Sequence, residues 1–283
     1  MAQTPAIIGH RGFAGAFPEN TVGAAIAAAT HPRCDGIEID VQPTSDGEIV
    51  VFHDRDMGAR NDGSPGLTTL DGPVWKHPVE AVTDAIVLGS EWTIPRLETL
   101  LEALPAGTHV VVELKNPGSD RTRPATSLDE TALEMQRELW APFVERVVET
   151  IDDADADVDV RLTSFCEAAV AEAAGYEYDT GAVCIGANAE ESVAFAERFG
   201  CAEIHAGMDA LVGDYRGEPP AFDVDEAGHD IGLDVVGWTA HTWHDVKRLA
   251  ETGVDAITTH YPSLPVALDE DDSAVALDGQ RLG

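Results

Sequence analysis

Glu38, Asp40 and His53 are three residues whose types and spacing suggest chemistry, and all lie in the stretch 34–54, CDGIEIDVQPTSDGEIVVFHD. From Gly36 to Thr44 the side chains alternate, with Ile37, Ile39 and Val41 on one face and Glu38, Asp40 and Gln42 on the other. Asp46-Gly47 predicts a two-residue hairpin turn, because both residue types tolerate positive φ. Glu48 to His53 then returns as a β-branched strand, with Ser45 facing Glu48 and His53 directly opposite Asp40. Cross-strand partners share a face, as do residues two apart on one strand. Glu38, Asp40 and His53 therefore converge on one patch. Two carboxylates roughly 7 Å apart along a strand can bind a hard divalent cation, and a histidine beside them can carry protons. The same pattern also fits a solvated polar face on an amphipathic hairpin.

These residues need a scaffold, and the chain supplies a repeating one. Strands are predicted at Ala6–His10, Gly36–Val41, His109–Lys115, Arg161–Phe165, Gly181–Gly186, Ala202–Ala206, Val235–Thr239 and Asp255–Thr259. Helices are predicted at Thr21–Thr30, with Asn20 or Thr21 as the cap, and at Ile94–Leu104. Others follow from Thr131 through Trp140, at Cys166–Ala174, Ala189–Phe199 and Trp243–Thr252. Val144–Ile151 fits a helix end or a strand, and 152–159 reads as an acidic loop. HVVVELK at 109–115 is nearly continuous and apolar, as in strands buried on both faces of a parallel sheet. Eight strands, most followed by a helix, predict a (β/α)8 TIM barrel, with its active site at the C-terminal strand ends. An open doubly wound sheet is the alternative, but the chain has no G-x-G-x-x-G turn. The segment 54–90 is rich in Gly and Pro and too long for an ordinary connection, so it reads as a small insertion after the β-hairpin. A single domain is expected over 1–265, followed by an acidic tail over 266–283.

Charged and titratable residues recur at the C-terminal ends of these strands. His10-Arg11 ends the first strand, Glu38 and Asp40 lie on the second, and Glu113 and Lys115 end the third. Trp238 ends the seventh, and the eighth leads to His260. Three carboxylates, Glu38, Asp40 and Glu113, suit Mg²⁺ or Ca²⁺ rather than a softer metal. His10 and His53 suit an acid/base pair, while Arg11 offers a fork for a phosphate and Lys115 a second positive charge. Taken singly, each could be a structural histidine or ion pair. Together they fit phosphodiester cleavage by charge stabilisation.

Composition narrows the partners. Of 283 residues, 17 are Lys or Arg and 52 are Asp or Glu, giving a net charge of −35, while 44% hydrophobic residues can fill a large core. This excess argues against nucleic acid and anionic membrane surfaces as partners. It resembles the surface of proteins adapted to high salt, where screening shortens repulsion to a few Å. Cys34, Cys166, Cys184 and Cys201 show no C-x-x-C spacing and read as small buried thiols. The first strand begins within a few residues of Met1, and no apolar run reaches membrane-spanning length. The expected location is cytoplasmic, without stable membrane insertion.

The motifs together resemble the glycerophosphodiester phosphodiesterases. They are His10-Arg11-Gly12, Glu19-Asn20-Thr21, Glu38-Ile39-Asp40-Val41, Asp46-Gly47 and Val50 to Asp54. Downstream come Ile94-Pro95, Leu97-Glu98, Glu113-Leu114-Lys115, Ser164-Phe165, Trp238-Thr239 and Gly253 to Ile257. The resemblance runs to about Pro262. It implies a barrel with an insertion after the second strand, and a divalent cation held by Glu38, Asp40 and Glu113. It further implies acid/base roles for His10 and His53, with Arg11 on the phosphate and Lys115 and Trp238 also on the substrate. Glu19 is implied as a further ligand or a support behind the ligands, and Asn20 as the cap of the next helix. The implied reaction turns a glycerophosphodiester into glycerol phosphate and an alcohol, through a cyclic phosphate. A lysophospholipase D-like activity is an alternative, which an exposed apolar rim from Trp75, Trp92 and Trp238 would favour; a non-catalytic phosphate- or metal-binding barrel is another. Two positions depart from the family pattern: His260 stands where Asp is usual, and His241 where Asn is common. His31, His77, His205 and His229 have no motif partner and read as surface or structural.

Overall fold

The computed structural model describes residues 4–60, 63–122, 126–213 and 218–268. Its elements run β1 (Ala6–His10), α1 (Val22–Ala29), β2 (Gly36–Pro43), β3 (Ile49–Val51), α2 (Val79–Thr83), α3 (Leu97–Glu102) and β4 (Thr108–Leu114). Then follow α4 (Glu130–Asp153), β5 (Val158–Ser164), α5 (Glu167–Ala173), β6 (Asp179–Cys184), α6 (Ala189–Phe199), β7 (Glu203–Gly207) and α7 (Met208–Leu211). The last are α8 (Val224–Asp230), β8 (Asp234–Ala240), α9 (Trp243–Thr252) and β9 (Ala256–Thr259). Eight parallel strands close on themselves in the order β1-β2-β4-β5-β6-β7-β8-β9, with β9 pairing back to β1; β3 pairs antiparallel to β2. This is the predicted (β/α)8 barrel.

Strand alternation decides which residues meet inside. Ile37, Ile39 and Val41 are fully buried in the outer core between sheet and helices, against Leu97, Leu101 and Trp140. Burying each such side chain contributes about 1.5–3 kcal/mol, so a one-residue slip of β2 is strongly disfavoured. Glu38 and Asp40 must then face the barrel interior. There Ile8, Val111, Val236 and Ala256 form a small apolar plug beneath them.

The hairpin differs from the expected register by one residue. Val41 pairs with Val51, Gln42 with Val50 and Pro43 with Ile49, and the Thr44 N–H donates to the Glu48 carbonyl. The turn is therefore the three residues Ser45 to Gly47, with Gly47 at φ 85°. Asp46 does not take a positive φ; its carboxylate accepts from the Thr44 hydroxyl at 2.5 Å and from the Val79 N–H at 3.1 Å, tying the turn to α2. Phe52, not His53, lies opposite Asp40, and β3 ends at Val51.

Other boundaries shift for local reasons. Ile94 and Pro95 are extended rather than helical, because the Val51 N–H donates to the Pro95 carbonyl and Val50 bridges to Arg96. The ambiguous segment 144–151 is helical: α4 runs on through Pro142 to Asp153, which shortens the acidic loop. Residues 54–90 carry a 3-10 turn at Val74–Lys76 and α2, over an apolar cluster that includes Phe52, Met57, Leu67, Val74, Val82 and Ile94. Cys34 is half-buried, the other three cysteines are buried, and all four are free thiols. Among the described residues no helix is long and apolar enough to cross a membrane. The residues from 269 onward lie outside those described.

Candidate active site

Strand register builds the centre of the site. His10 pairs with Glu38 between β1 and β2, and Asp40 pairs with Glu113 between β2 and β4. Carboxylate oxygens of Glu38, Asp40 and Glu113 come to lie within 4.8 Å of one another. His10, Arg11, Glu38, His53, Glu113, Lys115 and Trp238 all line one cavity of about 160 Å³ at the C-terminal end of the barrel. Asp40 is fully buried just behind that lining.

The loop after β1 is bent sharply to deliver its cation. Arg11, Gly12 and Phe13 have φ of 52°, 74° and 65°. Gly12 is needed twice over, since a Cβ there would meet the Ala24 backbone at 2.6 Å. The bend carries Arg11 Nε to 3.2 Å from Asp40 and its NH1 to 2.9 Å from Glu19. The Arg11 backbone N–H donates to Glu38 Oε2 at 3.0 Å. Lys115 Nζ reaches Glu113 at 2.7 Å and Asp40 at 3.3 Å.

His53 arrives by a different route from the one its position in the hairpin predicts. Gln42 faces inward on β2, and its amide donates to the carbonyls of Phe52, His53 and Asp54, at 2.9, 3.3 and 2.9 Å. This clamp turns the chain beyond β3 toward the barrel axis. His53 Nδ1 then contacts Asp54 Oδ1 at 3.2 Å.

These charges do not titrate alike. Burial raises the Glu38 carboxyl well above its ordinary range, and the neighbouring Asp40 and Glu113 charges add to the rise. Burial also acts upward on Asp40, but the Lys115 and Arg11 cations outweigh it and hold the group well below the usual range. Burial would lower Lys115, yet Glu113 and Asp40 leave it raised. Burial first, then the Arg11 charge, pushes the His10 imidazole down.

The donor set fits a hard cation. The three groups supply only oxygen, and Glu38 Oε1 is buried with no hydrogen-bond partner. An orphaned buried carboxylate oxygen is costly unless something satisfies it. Glu19 is not in this cluster; it holds Arg11 and accepts from Arg60 on both oxygens at 3.1 Å.

Several residues in or against the site take places that the sequence does not assign to them. Of the two expected caps, Asn20 and Thr21, it is Thr21 that caps α1; Asn20, at φ 57°, donates its amide to Asp40 Oδ2 at 2.7 Å. Arg60, from the irregular segment, joins Glu19 to Asp54, contacting the latter at 3.5 Å. Of the two readings for His205, surface or structural, the surface one fails: it is buried in the cavity wall, 3.0 Å from Glu203, and its carbonyl accepts from the Trp238 indole. Phe165 stands edge-on to Trp238, with ring centroids 5.6 Å apart. His260 meets the His10 ring edge to edge. A signal existed for Asn20, since threonine beside it already supplies a cap, and for His205, which alternates inward with Glu203 on a predicted strand.

Residues 10–264 match the glycerophosphoryl diester phosphodiesterase family. The chain belongs to that family. A Bacillus altitudinis glycerophosphodiester phosphodiesterase is 37% identical over 118 residues, which is 39% of this chain and 45% of that relative. The human lysophospholipase D GDPD3 is 26% identical over 54% of this chain and 49% of its own length. Each match thus spans about half of the relative. A phosphodiesterase from Oleispira antarctica, solved with the product sn-glycerol-3-phosphate, superposes with a TM-score of 0.72 at 24% identity, covering 94% of this chain and 97% of that one. The glycerophosphodiester phosphodiesterase of Thermotoga maritima gives 0.68 at 19%, covering 95% and 100%. The family's barrel is the fold seen here.

Proposed function

We propose that this chain hydrolyses glycerophosphodiesters to glycerol phosphate and an alcohol. The observation that carries the reading is the convergence of His10 and His53 on one cavity with Glu38, Glu113, Arg11 and Lys115, and with Asp40 directly behind. Family membership and the glycerol phosphate in the Oleispira antarctica relative support the same substrate class. Glu38, Asp40 and Glu113 would hold a Mg²⁺ or Ca²⁺ ion, which when bound offsets negative charge developing on the phosphate. Arg11 and Lys115 bind the phosphate oxygens and orient them. One histidine takes the proton of the glycerol hydroxyl next to the phosphate, whose oxygen attacks phosphorus; the other protonates the leaving alcohol. Water then opens the resulting cyclic phosphate, with the proton transfers reversed. Trp238 and Phe165 form the apolar wall beside the reacting group. Glu19 acts behind this set, by fixing Arg11.

The rim expected for the lysophospholipid alternative is present only in part. Trp75 is only 7% exposed and Trp238 faces the cavity with its indole N–H on His205, while Trp92 is 36% exposed. Action in concentrated salt belongs to the same reading, on the strength of the acidic composition. Thermal stability should then rise from low to molar KCl, and a flat or falling melting curve would count against it.

The test is a ³¹P NMR time course with glycerophosphocholine and with an analogue lacking the hydroxyl next to the phosphate. Glycerol phosphate from the first and no cleavage of the second are expected. Equal cleavage of both would contradict attack by that hydroxyl, and no cleavage of any glycerophosphodiester would contradict the activity.

A further inference from the structure

His260 is placed more tightly than a surface residue beyond a strand end requires. Thr259 is fully buried, and its hydroxyl donates to the Ala240 carbonyl at 3.0 Å and accepts from the Tyr261 N–H at 3.2 Å. The His260 carbonyl accepts from the Gly15 N–H at 3.0 Å. Gly15 has no side chain to hold Tyr261 off; a Cβ there would lie 2.3 Å from the tyrosine ring. The backbone on both sides of His260 is therefore pinned to neighbouring loops.

The side chain so placed meets His10. The two rings meet edge to edge, with centroids 4.6 Å apart and planes 15° from parallel, and His10 Nδ1 lies 2.5 Å from His260 Nε2. On its other side the His241 ring stands edge-on at 4.7 Å. Two facing imidazole nitrogens at that separation need one proton between them. With none, two lone pairs repel; with two, the hydrogens clash. Whichever nitrogen carries the proton, the tautomers of the two rings are locked to each other. The other His10 nitrogen, Nε2, is left toward the cavity, 3.6 Å from Glu38 Oε2.

We propose that His260 is a positioning residue for His10, holding the orientation and tautomer of its ring through the shared Nδ1–Nε2 proton. The proposal rests on the hydrolytic reading above for its kinetic consequence but not for the contact itself. In the family pattern this position is usually a carboxylate, which can only accept a proton bond when ionised. A histidine can donate or accept, so this chain holds the ring by a neutral, reversible partner.

Two variants separate positioning from packing. His260→Phe keeps an aromatic ring at the position and removes the nitrogen. His260→Gln gives up the ring but returns an amide at similar reach that can donate or accept. With ¹⁵N-histidine-labelled protein, wild type should show a downfield proton with hydrogen-bond coupling to both His10 Nδ1 and His260 Nε2, absent in His260→Phe. A folded wild-type protein without that coupling would overturn the proposal. In kinetics with glycerophosphocholine, His260→Phe should lower kcat roughly 10- to 100-fold with KM within about twofold, and His260→Gln should recover most of the loss. A His260→Phe enzyme with wild-type kcat, or a glutamine variant no better than phenylalanine, would overturn it. A wild-type protein that shows the coupling but no turnover would sink the hydrolase reading and leave the contact established.

Discussion

At the N-terminal end of the barrel, Arg161 pairs with Glu203 and approaches Asp234 at 3.8 Å and Asp179 at 4.0 Å, and Glu203 also contacts His205 at 3.0 Å. At the C-terminal end, Glu38, Asp40 and Glu113 crowd together with Arg11 and Lys115. Both ends bury carboxylates inside the same ring of strands. Burial acts upward on Glu203, but the hydrogen bond and charge of His205 and the charge of Arg161 outweigh it and leave the group lowered. Glu38 ends raised, with one oxygen buried and unpartnered. Glu203 is a carboxylate whose protein partners suffice; Glu38 is one whose protein partners do not. Buried charge alone does not mark a site. Charge that its own chain leaves unsatisfied, facing a cavity, does.

The largest effects are expected at the C-terminal end. His53→Ala should lower turnover of glycerophosphocholine by roughly 10²–10⁴-fold, with metal affinity by calorimetry nearly unchanged. Wild-type rates would remove His53 from the mechanism. Replacing Glu38 by Gln together with Asp40 by Asn should weaken Mg²⁺ or Ca²⁺ binding and activity in parallel, each by about tenfold or more. Unaltered metal binding would show that the cluster is structural, like its counterpart below.

That site could be read in large part from the chain alone, because strand ends point where alternation sends them. His10, Glu38, Asp40 and Glu113 follow from β1, β2 and β4 once the barrel is assumed. His53 lines the cavity, but not by the route the hairpin predicts. Its register was off by one, and the Gln42 clamp that brings it inward is a side-chain-to-backbone contact that periodicity does not report. The contact of His260 with His10, and the places of His205 and Arg60, are not legible in the chain because each meets the site across strands or loops distant in sequence. Only barrel closure, or the packing of residues 54–90, brings them near. Helix α8 was missed for a local reason. Its run VDEAGHD is mostly polar and contains Gly228, where a Cβ would sit 3.0 Å from Val235.

The N-terminal end should respond in stability and not in turnover. Arg161→Met leaves Glu203 buried without its main cation and should cost about 3 kcal/mol in chemical denaturation, while kcat and KM stay near wild type. A large loss of kcat at unchanged stability would erase the distinction between the two ends. The smallest effect is expected at His229, also near the N-terminal end. Its hydrogen bond to Asp255 raises the imidazole above its ordinary 6.5. A raised folded value means stability that is fully present below 6.5 and lost as pH rises through the folded value. The melting-temperature gap between wild type and His229→Gln should therefore narrow from pH 6 to pH 9. A constant gap would assign the contact to packing.

On the proposed reading, the carboxylates above the apolar plug serve a cation-dependent hydrolysis. The direct measurement is release of glycerol phosphate from glycerophosphocholine in high KCl, with EDTA, and then with Mg²⁺ or Ca²⁺ restored. Release that EDTA abolishes and one of the two ions restores is the predicted result. Release indifferent to EDTA, or none from folded protein with its metal bound, would contradict the account.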